Sequence, residues 1–298
     1  MTIKKEISGT GVALVTPFTT SDNIDFTALE KLVNHVIDGG VDFLVPLGTT
    51  GETPTLSKEE KLEVLNCVTE TVAERVPIVV GVGGNHTREV VENIQKMDML
   101  AIDAILSVNP YYNKPNQRGL YEHFSEVALA SDVPVILYNI QGRTGVNLAT
   151  DTLLQLAADF PHIIGVKEAS GNMMQIMEVI KNRPKGFKVI SGDDNLTLAI
   201  LAAGGDGVIS VVGNAFPKTL SDMVRLMLEE KDFIKAQKLH YEMFDIVNML
   251  FTDGSPGGIK ALLEHMGMMK NNLRLPLVKV NKTLNSDLKE FLTTTKLR

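Results

Sequence analysis

His162-Ile163-Ile164-Gly165-Val166-Lys167-Glu168-Ala169-Ser170-Gly171-Asn172 is the stretch on which the reading of the chain turns. An apolar, β-type run ends abruptly in a lysine, and a Gly-Asn pair then opens a helical pattern. A strand-end lysine can reach water or pair with its neighbour Glu168. Held away from water, the charged form is disfavoured and the neutral amine gains. A neutral amine is a nucleophile that forms a Schiff base with a carbonyl substrate.

Outward from this stretch the same pattern repeats. Short apolar runs occur at 12–15, 43–47, 78–82, 104–108, 135–138, 163–166, 188–190 and 207–211. Their near-continuous apolarity fits parallel strands buried on both faces. Between them lie helical patterns. Leu29, Leu32, Val33, Val36 and Ile37 share one helix face, and Gly39-Gly40 closes that helix. Ser57 and Glu60 form a capping-box pattern ahead of Leu62, Leu65 and Val68. Eight successive βα units predict a (β/α)8 barrel over residues 1–230. An open doubly wound sheet would instead need a reversal of strand order. Strand signals fade after residue 230, which predicts a helical C-terminal region over 231–298.

The 298 residues, 44% hydrophobic and 22% charged, are ordinary for a globular enzyme-sized chain. A net charge of −7 argues against binding a phosphate backbone, so no nucleic-acid partner is expected. Six scattered histidines and one cysteine, Cys67, show no metal-ligand spacing, and neither metal nor cofactor is expected. Cys67 reads as a core thiol in a reducing compartment. Lys4, Lys5 and Glu6 are followed by no apolar block of the signal-peptide kind, and no run is long enough to span a bilayer. A cytoplasmic protein with no membrane partner is the expectation.

In a barrel the chemistry sits at the C-terminal ends of the strands. The residues just past each predicted strand include Thr16, Gly48-Thr49-Thr50-Gly51-Glu52, Asn109-Pro110-Tyr111-Tyr112, Tyr138-Asn139, Lys167-Glu168, Ser191-Gly192-Asp193-Asp194 and Ser210. Hydroxyls, amides, glycines and one lysine thus collect on one rim. Carbonyl chemistry at Lys167 needs a mobile proton, which Tyr138 supplies if a hydroxyl such as that of Thr49 polarises it. Arg143, in the loop beyond Tyr138, offers a planar fork for a carboxylate. Other features read as structural. Asp193 or Asp194 suits a helix N-cap. Gly81-Val82-Gly83-Gly84-Asn85 lacks the last glycine of a dinucleotide fingerprint, which is His86 here. His123 and His162 suit surfaces or helix ends, and Met173, Met174 and Met177 suit core packing.

Five motifs occur in order along the chain. They are Gly48-Thr49-Thr50-Gly51-Glu52, Asn109-Pro110-Tyr111-Tyr112, Tyr138-Asn139 with Arg143-Thr144-Gly145, Gly165-Val166-Lys167-Glu168-Ala169-Ser170-Gly171, and Ser191-Gly192-Asp193-Asp194. In this the sequence closely resembles the dihydrodipicolinate synthase (4-hydroxy-tetrahydrodipicolinate synthase) family of pyruvate-dependent class I aldolases. The resemblance covers essentially the whole chain, and Arg143-Thr144-Gly145 separates it from related sialic acid and keto-deoxy sugar lyases.

The resemblance implies a lysine-biosynthetic lyase that condenses pyruvate with L-aspartate-4-semialdehyde on a Lys167 Schiff base. Tyr138, Thr49 and Tyr112 would form the proton relay. Thr50, Ile209 and Gly192 would contact pyruvate, and Arg143 the aldehyde's carboxylate. Tyr112 would cross a subunit interface within a homotetramer, a dimer of dimers. The family's loop usually carries a proline between Asn139 and Arg143, absent from Ile140-Gln141-Gly142, which predicts a looser loop. Many members are inhibited by L-lysine near the position of Tyr111. Asn85 and Glu89 fit that pocket, but Lys58 and Lys61 stand where lysine-sensitive members present histidines. Within the same chemistry a lyase for another 2-keto acid is the alternative. A sugar-phosphate enzyme and a non-catalytic binding barrel are the alternatives outside it.

Overall fold

A computed structural model describes residues 6–298, so the reading made at Lys4 and Lys5 lies outside the described residues. The fold is the expected (β/α)8 barrel with C-terminal helices. In chain order the elements are β1 (Gly9–Ala13), α1 (Phe26–Asp38), β2 (Phe43–Val45), α2 (Lys58–Val72), β3 (Val79–Gly81), α3 (Thr87–Lys96), β4 (Ala104–Val108), α4 (Gln117–Ala130) and β5 (Val135–Asn139). There follow α5 (Gln141–Thr144), α6 (Thr150–Asp159), β6 (Ile163–Glu168), α7 (Met173–Asn182), β7 (Lys188–Ser191), α8 (Thr197–Ala202) and β8 (Gly207–Ser210). Helices α9 (Pro217–Arg225), α10 (Phe233–Thr252), α11 (Gly257–His265) and α12 (Lys282–Thr294) complete the chain.

The chain forms two compact units. The first joins the residues up to Ser8 to Pro77–Ile209. Its strands pair in parallel and in sequence order from β3 to β8, without the reversal an open doubly wound sheet requires. Val79, Ile105, Val135, Ile136, Val166, Val189 and Val208 are wholly buried. Each contributes about 1.5–3 kcal/mol of apolar transfer, which is why these runs carry almost no polar residue before their last positions. Gly171 (φ +73°) ends the segment after β6, and the Asn172 side chain accepts from Gln175 N to start α7.

The second unit joins Gly9–Val76 to Ser210–Arg298. Strands β1 and β2 pair in parallel within it. Helix α1 buries Leu29, Leu32, Val33 and Val36, and Gly39 with Gly40 (φ +86°) closes it. The Ser57–Glu60 capping box opens α2 as predicted, with Ser57 N donating to Glu60 Oε2 at 2.8 Å and Glu60 N to Ser57 Oγ at 3.2 Å. Cys67 departs from the reading as a core thiol: it is half-buried on α2. Among the described residues no helix is long and apolar enough to cross a membrane.

Candidate active site

Strand β6 carries its apolar run to Val166 and then presents Lys167, which is only 6% exposed. The parallel register sets Tyr138 of β5 directly opposite Lys167. Side chains at paired positions of parallel strands face the same side, and Lys167 Nζ lies 4.2 Å from the centre of the Tyr138 ring. Tyr138 is itself buried. Burial pushes the Lys167 amine down to about 8; Asp194 acts to raise it and Arg143 to lower it further. On the other side, Gly192 follows β7. A Cβ there would sit 2.9 Å from Lys167 Cε and 2.7 Å from Ala169 Cβ, so only glycine leaves room for the lysine stem. Ile209 is buried in β8.

A buried polar network fixes the ends of β4, β5 and β6. Asn109 Nδ2 donates to Asn139 Oδ1 at 2.9 Å and to Val146 O at 3.2 Å. Asn139 Nδ2 donates to Glu168 Oε2 at 3.2 Å, and Ser170 N donates to Glu168 Oε1 at 2.8 Å. Leu148 N in turn donates to Asn139 Oδ1 at 2.9 Å. Burial raises the Glu168 carboxyl above its ordinary value, against the hydrogen bonds that lower it. Asn139 follows Tyr138 and Glu168 follows Lys167 directly, so the network holds the backbone from which Tyr138 and Lys167 project. Sequence reasoning placed Asn109, Asn139 and Glu168 on the rim but gave them no task. Their signal was polarity at the end of a buried strand.

The same network borders the turn that carries Arg143. Gln141 takes the first position of α5, Gly145 (φ +71°) caps it, and Thr144 Oγ1 donates to Ile140 O at 2.8 Å. Where the family's loop carries its proline, Ile140-Gln141-Gly142 leads into this short helix, whose first residue needs no internal partner for its N–H. Arg143 is exposed. Tyr112 is 89% exposed with φ +73°, so the structure does not bring it against Lys167 within one chain.

Thr49 and Thr50 belong to the second unit, in the tight turn Thr49–Gly51 after β2. Thr50 is buried and Thr49 exposed. Two non-glycine residues in left-handed backbone, Leu47 (φ +57°) and Glu52 (φ +54°), bracket the turn. Such residues cost about 1–3 kcal/mol each and persist where surrounding bonds over-determine them. Here Thr16 Oγ1 donates to Gly51 O at 2.7 Å and Thr53 Oγ1 to Gly48 O at 2.8 Å.

Several structural readings resolve. Asp193 caps the turn after β7, accepting from Asn195 N at 3.1 Å. Gly83 packs against Val108, where a Cβ would meet Cγ1 at 2.7 Å, a close approach of strand ends rather than a nucleotide loop. His123 is neither at a surface nor at a helix end. It is buried in α4 with Thr87 Oγ1 3.0 Å from Nδ1, and burial holds it down at about 4. The methionines also depart from expectation: Met174 is 73% and Met177 41% exposed, on the outer face of α7 rather than in the core. Among the described residues no group of three or more histidine, cysteine or acidic side chains is placed to hold a metal ion.

The dihydrodipicolinate synthetase family profile matches residues 6–295. The chain belongs to the dihydrodipicolinate synthetase family. It is 48% identical to the 4-hydroxy-tetrahydrodipicolinate synthase of Phocaeicola vulgatus, over 99% of both chains. It is 50% identical to that of Flavobacterium psychrophilum, over 95% of this chain and 96% of the relative. Among solved structures, dihydrodipicolinate synthase from Aquifex aeolicus superposes with a TM-score of 0.93 at 40% identity, covering 96% of this chain and 97% of that one. Family membership thus joins the barrel to the buried lysine at the end of its sixth strand.

Proposed function

We propose that the protein is a 4-hydroxy-tetrahydrodipicolinate synthase, a lyase condensing pyruvate with L-aspartate-4-semialdehyde in lysine and diaminopimelate biosynthesis. The observation that carries the reading is the buried Lys167 amine, poised near neutrality over the Tyr138 ring. The neutral amine attacks C2 of pyruvate, and the carbinolamine loses water to give the imine. The imine nitrogen takes up electrons as a C3 proton leaves, so no separate electron sink is needed. The resulting enamine adds through C3 to the aldehyde, whose oxygen gains a proton. The amine of the bound adduct then attacks the imine carbon, closes the ring and releases Lys167. Atoms balance as pyruvate plus aldehyde giving product plus one water.

In this reading Tyr138 carries the protons, with Thr49 and Tyr112 completing the relay. Thr50, Gly192 and Ile209 hold the pyruvyl group, Ile209 through its backbone. Arg143 grips the aldehyde's carboxylate with its fork. Residues 1–230 form the catalytic barrel and 231–298 the helical region, and the enzyme works in the cytoplasm as a homotetramer, a dimer of dimers. The support for assembly is the exposed Tyr112 with its left-handed backbone, together with the exposed Met174 and Met177, surfaces that a neighbouring subunit would cover.

Borohydride reduction with pyruvate, followed by peptide mass spectrometry, tests the reading. One reduced adduct per chain, on the peptide containing Lys167, is the expected result. An adduct elsewhere, or none, overturns the Schiff-base mechanism. Aspartate semialdehyde turnover then separates the synthase from a lyase acting on another 2-keto acid.

A further inference from the structure

The second unit holds a fully buried ion pair with no part in the chemistry above. The side chains of Lys260, on α11, and Glu52 are both wholly shielded from water. Lys260 Nζ donates to Glu52 Oε1, and to Asn272 O at 2.9 Å, while lying 4.2 Å over the Phe18 ring. The other carboxylate oxygen, Oε2, accepts from Arg274 N at 3.0 Å. The Arg274 guanidinium binds the Glu60 carboxylate at 2.7 and 2.5 Å and donates to Thr55 O at 2.9 Å and Asp22 O at 2.8 Å. Asn272 Nδ2 reaches Thr19 O at 3.0 Å. Every charged side chain in this cluster is thereby matched, and its anchor is the C-terminal helical region.

What the cluster grips is the turn between Gly48 and Glu52. Glu52 N closes that turn by donating to Thr49 O at 3.2 Å, from a left-handed backbone that glutamate adopts only under constraint. The Glu52 carboxylate can leave its place only by abandoning a buried ammonium and a backbone N–H together. A solvated glutamate would give no such hold. Nor does stability require an ion pair here, since apolar residues of similar volume commonly serve a core as well or better.

We propose that Lys260 is a positioning residue for the reaction: by clamping Glu52 it fixes the turn that carries Thr49 and Thr50, without touching substrate. The inference rests on the reading that this turn serves the proton relay and pyruvate. Displacing relay atoms by about 1 Å costs on the order of 100-fold in rate. Lys260→Met removes the clamp and leaves Glu52 buried and unpaired. The double variant Glu52→Gln/Lys260→Met also lacks the clamp but buries no lone charge.

The test measures Tm, the steady-state constants for pyruvate, and borohydride trapping, with Thr49→Val as the control for the turn. Lys260→Met is expected to lower Tm and to lower kcat by about 10- to 100-fold, with KM for pyruvate within about twofold. Trapping on Lys167 persists. The double variant is expected to regain Tm but not kcat. If folded Lys260→Met keeps wild-type kcat, or if kcat returns together with Tm in the double variant, the pair is merely structural and the proposal fails. Should Lys260→Met not fold, the double variant decides alone: wild-type kcat overturns the proposal, reduced kcat at recovered Tm supports it. Wild-type enzyme that resists trapping, or Thr49→Val with full kcat, removes the underlying reading first, and the Lys260 proposal falls with it.

Discussion

In the proposed mechanism Lys167 must be neutral to attack pyruvate, so the pH dependence of imine formation measures its environment. Its ordinary value is 10.5, and burial brings it to about 8. At about 1.4 kcal/mol per pH unit that fall corresponds to about 3 kcal/mol against the charged form. The consequence at pH 7 is large: about one chain in ten carries the free amine, against roughly one in three thousand for an unperturbed lysine. The environment thus supplies on the order of 300-fold in nucleophile concentration. The assay is kcat/KM for pyruvate against pH, which reports the free enzyme. It should climb with unit slope up to about pH 8 and level above it. Two substitutions should move this limb in opposite directions. Asp194→Asn removes an anion that favours the ammonium and shifts the limb to lower pH; Arg143→Ala removes a cation and shifts it to higher pH. A limb that continues rising toward pH 10, or two substitutions that shift it in the same sense, would refute the reasoning.

Three further outcomes are expected. Arg143→Ala should raise KM for aspartate semialdehyde by at least about tenfold while leaving KM for pyruvate nearly unchanged, since no other fork replaces the guanidinium; equal effects on both would place Arg143 outside the aldehyde site. Lys167→Met should stabilise the fold at pH 7 by up to about 3 kcal/mol in denaturant titrations, because an ammonium disfavoured by burial is replaced by an apolar chain of similar size. The folded state releases its Lys167 proton near pH 8 and the unfolded state only near 10.5, so wild-type stability rises between these pH values and the advantage of the variant should fade toward pH 10.5; an unchanged advantage there contradicts the assignment. L-Lysine should inhibit weakly or not at all, because Lys58 and Lys61 at the start of α2 are cations without acceptor atoms, and like charges set against a ligand's ammonium groups cost several kcal/mol in a buried interface; strong inhibition at sub-millimolar L-lysine would show this wrong.

How far the sequence could carry this reading follows from which interactions are local. Strand β6 was legible because four apolar or glycine positions precede Lys167, and a buried parallel strand tolerates little else. The capping box of α2 was legible because both partners lie within one turn. The exposure of Met174 and Met177 was not. Their spacing fixes a shared helix face, but periodicity carries no record of what, if anything, covers that face. Lys260 marks the limit most clearly. It lies in α11 among Gly258, Ile259, Ala261 and Leu262, all buried, where a lysine reads as a surface residue at the edge of an apolar stripe. Its partner Glu52 is 208 residues away, beside the threonines that the motif singles out. A buried ammonium is tolerable only opposite a matched carboxylate, and nothing in the local pattern of either residue names the other. The strand-end lysine declared itself because its burial can be read from its own strand. The helical lysine did not, because its role exists only in the pair.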